Sequence, residues 1–142
     1  NSPSMLALED YLDALAWAES VGGANGLMAR ADANAKKLND WVDQQDWIAN
    51  LAAVRETRSN TSVCLKFTDA KVAGLPLDAQ AAFAKAVAGL LDKEGVAKDI
   101  AYYRDAPPGL RIWTGSTIEQ SDVASLLPWL AWAFETEKSK LG

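Results

Sequence analysis

The stretch PPGLRIWTG, residues 107 to 115, sets one arginine between a leucine and an isoleucine directly after a rigid turn. A planar guanidinium held on a strand can grip a carboxylate through two parallel hydrogen bonds, and it stays charged at every working pH. Arg111 is therefore a candidate anion clamp. An exposed or salt-bridged surface arginine packed beside Trp113 is the alternative, and spacing alone leaves it open. Arg104, seven residues earlier, is a second permanent cation, with Asp99 and Asp105 as nearby acidic partners. The chain has no histidine, which removes Ser-His-Asp and Cys-His nucleophilic chemistry and the commonest metal ligand; no metal site is expected. Any chemistry must come from arginine, lysine, carboxylates or a cofactor. Lys66 lies on the polar side of a strand pattern, where solvation explains it better than catalysis.

The elements that must hold these arginines follow from periodicity. TSVCLKF (61–67) alternates, with Val63, Leu65 and Phe67 on one face and Ser62, Cys64 and Lys66 on the other. Residues 75–95 form an amphipathic helix with Phe83, Val87, Leu90 and Leu91 inward and Gly95 as its stop. VAKDIAYY (96–103) reads as a strand, APPG turns, and LRIWT reads as a strand antiparallel to it, with Leu110 and Ile112 opposite Arg111 and Trp113. A last helix starts near Ser121-Asp122 and carries Leu126, Leu127, Leu130 and Phe134, with Pro128 inside it as a kink. WIANLAAVRE (47–56) can add an edge strand.

Two helices precede this part. The first has Ser2 as cap, Pro3 at its first position, Leu8, Leu12 and Leu15 at helical spacing, and Gly22-Gly23 as its end. The second runs from about 25 to 45 with Leu27, Ala31, Leu38 and Trp41 or Val42 on one face. That stripe is thin for the length, as for a spine lying across two bodies. The fold class is α+β: a small antiparallel-rich sheet covered by helices and preceded by two long helices. The expected division is a helical segment, 1–46, and a small α+β domain, 47–142.

Composition bounds the partners. Nineteen acidic against fourteen basic residues give a net charge of -5, so neither nucleic acid nor an anionic membrane is an expected partner. No apolar run reaches the ~18 residues of a membrane span, and Glu9, Asp10 and Asp13 interrupt the first apolar segment as a signal peptide would not. The lone Cys64 cannot form an internal disulfide, which points to the cytoplasm. Four of the six tryptophans, Trp17, Trp41, Trp129 and Trp132, sit at helical spacing among apolar neighbours and read as packing residues.

Three stretches, NSPSMLALEDYLDALAWAESVGG, TRSNTSVCLKF and YRDAPPGLRIWTG with the following SDVASLLPWLAWAFE, together resemble phosphoserine aminotransferases, particularly those of alphaproteobacteria. The resemblance covers only the C-terminal portion of that family, part of a fold-type I enzyme dependent on pyridoxal phosphate. It implies transfer of an amino group between glutamate and 3-phosphohydroxypyruvate in serine biosynthesis, by a homodimer. Arg111 falls on the family's GLR arginine, which binds the substrate α-carboxylate. Arg104 falls where many relatives carry a histidine near the substrate phosphate. Asn1 and Ser2 match an Asn-Thr pair that reaches the cofactor phosphate of the neighbouring subunit, with serine keeping the hydroxyl. The Schiff-base lysine lies upstream in the family, so this chain alone should be inactive. Two other readings stand beside this one. One is a non-enzymatic α+β module that binds small carboxylates through Arg111; the other is a different aminotransferase of the same superfamily.

Overall fold

The computed structural model describes residues 4–142. Ser2 and Pro3, expected to open the first helix, lie outside the described residues, and the N-cap is Ser4, whose hydroxyl accepts from the Ala7 amide at 3.4 Å. Helix α1 (Met5–Ser20) runs into Gly22, whose φ of 102° lies in the left-handed region. Helix α2 (Gly23–Val42) turns back from there. Strand β1 (Ile48–Asn50), a 3₁₀ turn (Arg55–Thr57), strand β2 (Ser62–Phe67), the short helix α3 (Ala70–Ala73) and helix α4 (Leu77–Lys93) follow. Strand β3 (Leu110–Trp113), helix α5 (Gln120–Lys138) and a closing 3₁₀ turn complete the chain.

The sheet has the order β1-β2-β3, antiparallel throughout, with Cys64 opposite Arg111 and Val63 opposite Ile112. Alternation along β2 and β3 sends Val63, Leu65, Leu110 and Ile112 to one side, where they are buried with Leu38 and Val42 of α2, Val87 and Leu91 of α4, and Leu130 and Phe134 of α5. This confirms the α+β layer. The edge strand within 47–56 is only three residues long.

The segment 96–103 is not a strand. Its composition suits one, but Asp99 takes a φ of 53°, which turns the chain out of the extended region, and a single bridge from Ala101 to Leu110 is what remains of the pairing. The tryptophans also depart in part from the packing expectation. Trp41 and Trp47 meet edge to face inside the fold, whereas Trp17, Trp129 and Trp132 stand 38%, 40% and 41% exposed. Helix α5 is continuous through Pro128.

Helix α1 has no buried residue among those described; Leu8, Leu12 and Leu15 form a stripe facing solvent, and α1 packs chiefly on α2. The second half of α2 belongs to the core, and its side chains secure the segment that follows β3. Asn34, buried in the middle of α2, donates to the carbonyls of Gly115 at 3.2 Å and Ile118 at 2.7 Å, and the Arg30 Nε donates to the Ser116 carbonyl at 2.8 Å.

One ion pair ties α3 to the end of α5. Asp69 caps α3 by accepting from the Lys71 and Val72 amides, and the Lys138 ammonium lies 2.7 Å from its carboxylate. The bond from Lys138 is the main reason that the Asp69 carboxyl is held below its ordinary value, and the bond to Asp69 raises Lys138 above its own. An acid depressed in the fold stabilises above its unfolded pKa of about 4, and that contribution is lost as pH falls through the lower folded value. A raised lysine stabilises below its unfolded pKa of about 10.4, and that contribution is lost as pH rises through the higher folded value. Asparagine caps a helix about as well as aspartate, so Asp69→Asn removes chiefly the ion pair. Its deficit in melting temperature is expected to be steady from about pH 5 to 10 and to shrink beyond both ends. Melting curves of both proteins across pH check this, and a deficit that does not vary with pH would exclude the ion pair as its source.

Candidate functional site

Gly109 is what lets β3 dock where it does. A Cβ at that position would lie 1.9 Å from the Leu65 carbonyl oxygen, so only glycine allows the backbone this close to β2. At the other end, buried Thr114 donates its amide to the Thr61 carbonyl at 2.7 Å and its hydroxyl to that of Asn60 at 2.9 Å. Arg111 is thus carried on a strand fixed at both ends.

The helices occupy the Leu110 and Ile112 side, and Arg111 rises from the opposite face beside Cys64. The Arg111 amide donates to the Ile100 carbonyl at 2.8 Å, on the side away from β2. Arg111 and Cys64 therefore form a non-hydrogen-bonded pair, the closer of the two antiparallel spacings.

Around the guanidinium three features converge. Its Nη2 donates to both the backbone carbonyl and the carboxylate of Asp99, each at 3.2 Å. The Tyr103 ring lies over its face, 4.4 Å from centroid to the guanidinium carbon. Its Nε is buried and has no hydrogen-bond partner among the described residues. The Arg111 side chain is 14% exposed and Asp99 89% exposed. The result is a cation with a fixed stem, an orienting aromatic lid and one weakly held anion. A ligand carboxylate can take the place of the Asp99 carboxylate, which returns to water at little cost.

Arg104 sits on the exposed turn after Tyr103 and forms no ion pair among the described residues. Asp99, considered as its partner on sequence grounds, pairs with Arg111 instead, because the turn at Asp99 points both of its acceptors back at β3. Asn1 and Ser2 lie outside the described residues. Lys66 is exposed on the same sheet face as Arg111. Arg58 reaches the Ala52 carbonyl at 3.2 Å and Asp43 at 3.4 Å, and so braces the turn before β2. Asp99 as partner of Arg111, and Tyr103, escaped sequence reasoning; the one sign of the second was an aromatic next to Arg104. No group of three or more residues able to hold a metal occurs among the described residues.

No family model matches the sequence. The fold is similar to that of phosphoserine aminotransferase from Bacillus circulans subsp. alkalophilus, with a TM-score of 0.77 and 16% identity over 96% of this chain and 34% of that one. A second structure, of radiation damage of the Schiff base in phosphoserine aminotransferase, matches with a TM-score of 0.75 and 15% identity, covering 96% of this chain and 35% of that one. These likenesses give the fold alone: a small antiparallel sheet with helices, matched to about a third of each structure.

Two curated relatives carry the likeness into sequence. The phosphoserine aminotransferase of Methanosarcina mazei is 44% identical over 138 residues, and that of Methanosarcina barkeri 44% over 140. Each match takes in 97% of this chain and 35% of the relative, so the chain spans about a third of the length of these enzymes. The sequence is thus similar to a portion of phosphoserine aminotransferase.

Proposed function

We propose that this chain is the C-terminal part of a phosphoserine aminotransferase, and that in the complete polypeptide it supplies the grip on the substrate α-carboxylate. The reaction moves an amino group from glutamate to 3-phosphohydroxypyruvate, leaving 2-oxoglutarate and phosphoserine. Both amino donors present the same α-carboxylate, so one clamp serves both half-reactions. The observation that carries this reading is Arg111: stem fixed on β3, guanidinium under Tyr103, Nε buried and without a partner among the described residues, and an exposed acid to displace. Two parallel bonds to the carboxylate fix the direction of the Cα–H bond, which raises the rate by orientation.

Arg104 is assigned to the substrate phosphate, a role that its exposure on the neighbouring turn allows. Asn1 and Ser2 are assigned to the cofactor phosphate of the second subunit in a cytoplasmic homodimer. Pyridoxal phosphate, when bound, acts as the electron sink for loss of the Cα proton. The Schiff-base lysine and most of the cofactor pocket are assigned to sequence outside the 142 residues. Residues 47–142 are then the small domain that closes over substrate. Residues 1–46 pack on or bridge to the larger part, which the exposed stripe on α1 favours.

The test is transamination by the complete polypeptide supplied with pyridoxal phosphate, using phosphoserine with 2-oxoglutarate. Turnover is expected, with none from the 142 residues alone. Turnover with glyoxylate but not with phosphoserine would point to a different aminotransferase of the superfamily. Carboxylate binding without any turnover would favour a sensor module.

A further inference from the structure

The acceptor that Arg111 already holds belongs to the same chemical class as the ligand assigned to it. Asp99 offers Nη2 two oxygens of different kinds, a backbone carbonyl that cannot leave and a carboxylate that can. The φ of 53° at Asp99 is what points both at one nitrogen. Aspartate is among the few side chains that enter this region readily, and asparagine is another. Asp99 also lines an open cleft of about 240 Å³ between α4 and residues 99–101, which Lys85 lines as well, and its side chain is 89% exposed, so the carboxylate has room to swing aside.

We propose that Asp99 is a resident competitor that sets substrate affinity: its carboxylate occupies Arg111 in the free protein and yields to the α-carboxylate of either amino donor, while its carbonyl keeps Nη2 oriented throughout. This rests on the reading of Arg111 as the α-carboxylate clamp. An exposed ion pair is weak, so the competitor is easily displaced, yet it raises the substrate concentration needed for saturation. Because the contact is broken in the substrate complex and in the transition state alike, its removal belongs in KM and not in kcat. Both donors must be affected together, since they meet the same nitrogen.

The experiment compares Asp99→Asn with the parent in the complete polypeptide loaded with cofactor, measuring KM and kcat for glutamate and for phosphoserine. Asparagine keeps the turn and the carbonyl and removes the charge. The expected result is a fall of about two- to fivefold in both KM values, the range for an exposed pair, with the gain in KM alone. The ion pair should also make wild-type KM less sensitive to added sodium acetate than that of the variant, because the competing carboxylate is already present. A rise in KM, an unchanged KM, or a fall for one donor only overturns the proposal, since each means that Asp99 braces Arg111 or acts elsewhere. Absence of phosphoserine turnover in the parent protein is a different result: it removes the function on which the proposal rests.

Discussion

Arg111→Ala in the complete, cofactor-loaded polypeptide should lower kcat/KM for phosphoserine by roughly a thousandfold, and Arg111→Lys by about ten- to a hundredfold. Truncating one side of a desolvated, hydrogen-bonded ion pair costs about 2–5 kcal/mol, and each ~1.4 kcal/mol is a decade in rate. Lysine keeps the charge but offers a point donor in place of a fork, so it recovers attraction without orientation. Neither change should unfold the protein. The ion pair lost is with Asp99, which is 89% exposed, and pairs of that kind contribute little to stability. The measurement is steady-state kinetics beside a melting curve: a large kinetic loss at nearly unchanged melting temperature is the expected pattern. Parallel losses of activity and melting temperature would make Arg111 a structural residue.

Phe134→Ala should have the largest effect on stability, about 3–5 kcal/mol. Phe134 is fully buried at the centre of an aromatic cluster, stacked on Trp47 at 4.1 Å and placed 5.8 Å from both Phe67 and Phe83. Those neighbours come from the segment before β1, from β2 and from α4, so the cavity left by truncation opens where the sheet meets its helices. Rigid rings on three sides collapse poorly into such a space, which puts the loss in the upper half of the range. Denaturant unfolding of the variant and parent reads it directly. As a control, Trp132→Ala on the same helix should cost about 1 kcal/mol or less, because that side chain is 41% exposed. Equal losses from the two substitutions would mean that the aromatic cluster is not the centre of the core.

Where one face of an element is buried and the other wet, its period is written in the residue types. The alternation of Val63, Leu65 and Phe67, and the helical spacing of Phe83, Val87 and Leu91, yield β2 and α4 within a residue or two. Residues 96–103 show the opposite case. Isoleucine and two tyrosines suit a strand, but the geometry is decided by a turn at Asp99, for which aspartate is only a permissive choice. The start of α1 shows a related limit: Ser2 is the expected cap, and the helix that is described begins after Ser4, whose side chain caps it. Trp129 and Trp132 carry the composition of a core on a face that the described residues leave open. At the candidate site, Arg111 stands out as a charge on an apolar strand, while spacing alone leaves its role open. Its surroundings were not legible, because Asp99 and Tyr103 reach it through an irregular loop whose path no residue spacing encodes.

The account depends most on one guanidinium serving two substrates through the group they share. Its most direct test is a single-turnover comparison of the two half-reactions in Arg111→Lys and parent polypeptides, following the cofactor absorbance after mixing with glutamate or with phosphoserine. Proportionate slowing of both, with their ratio within about twofold of the parent's, is the predicted result. Slowing with one donor while the other keeps its parental rate would show that Arg111 reads a side chain and not the common carboxylate.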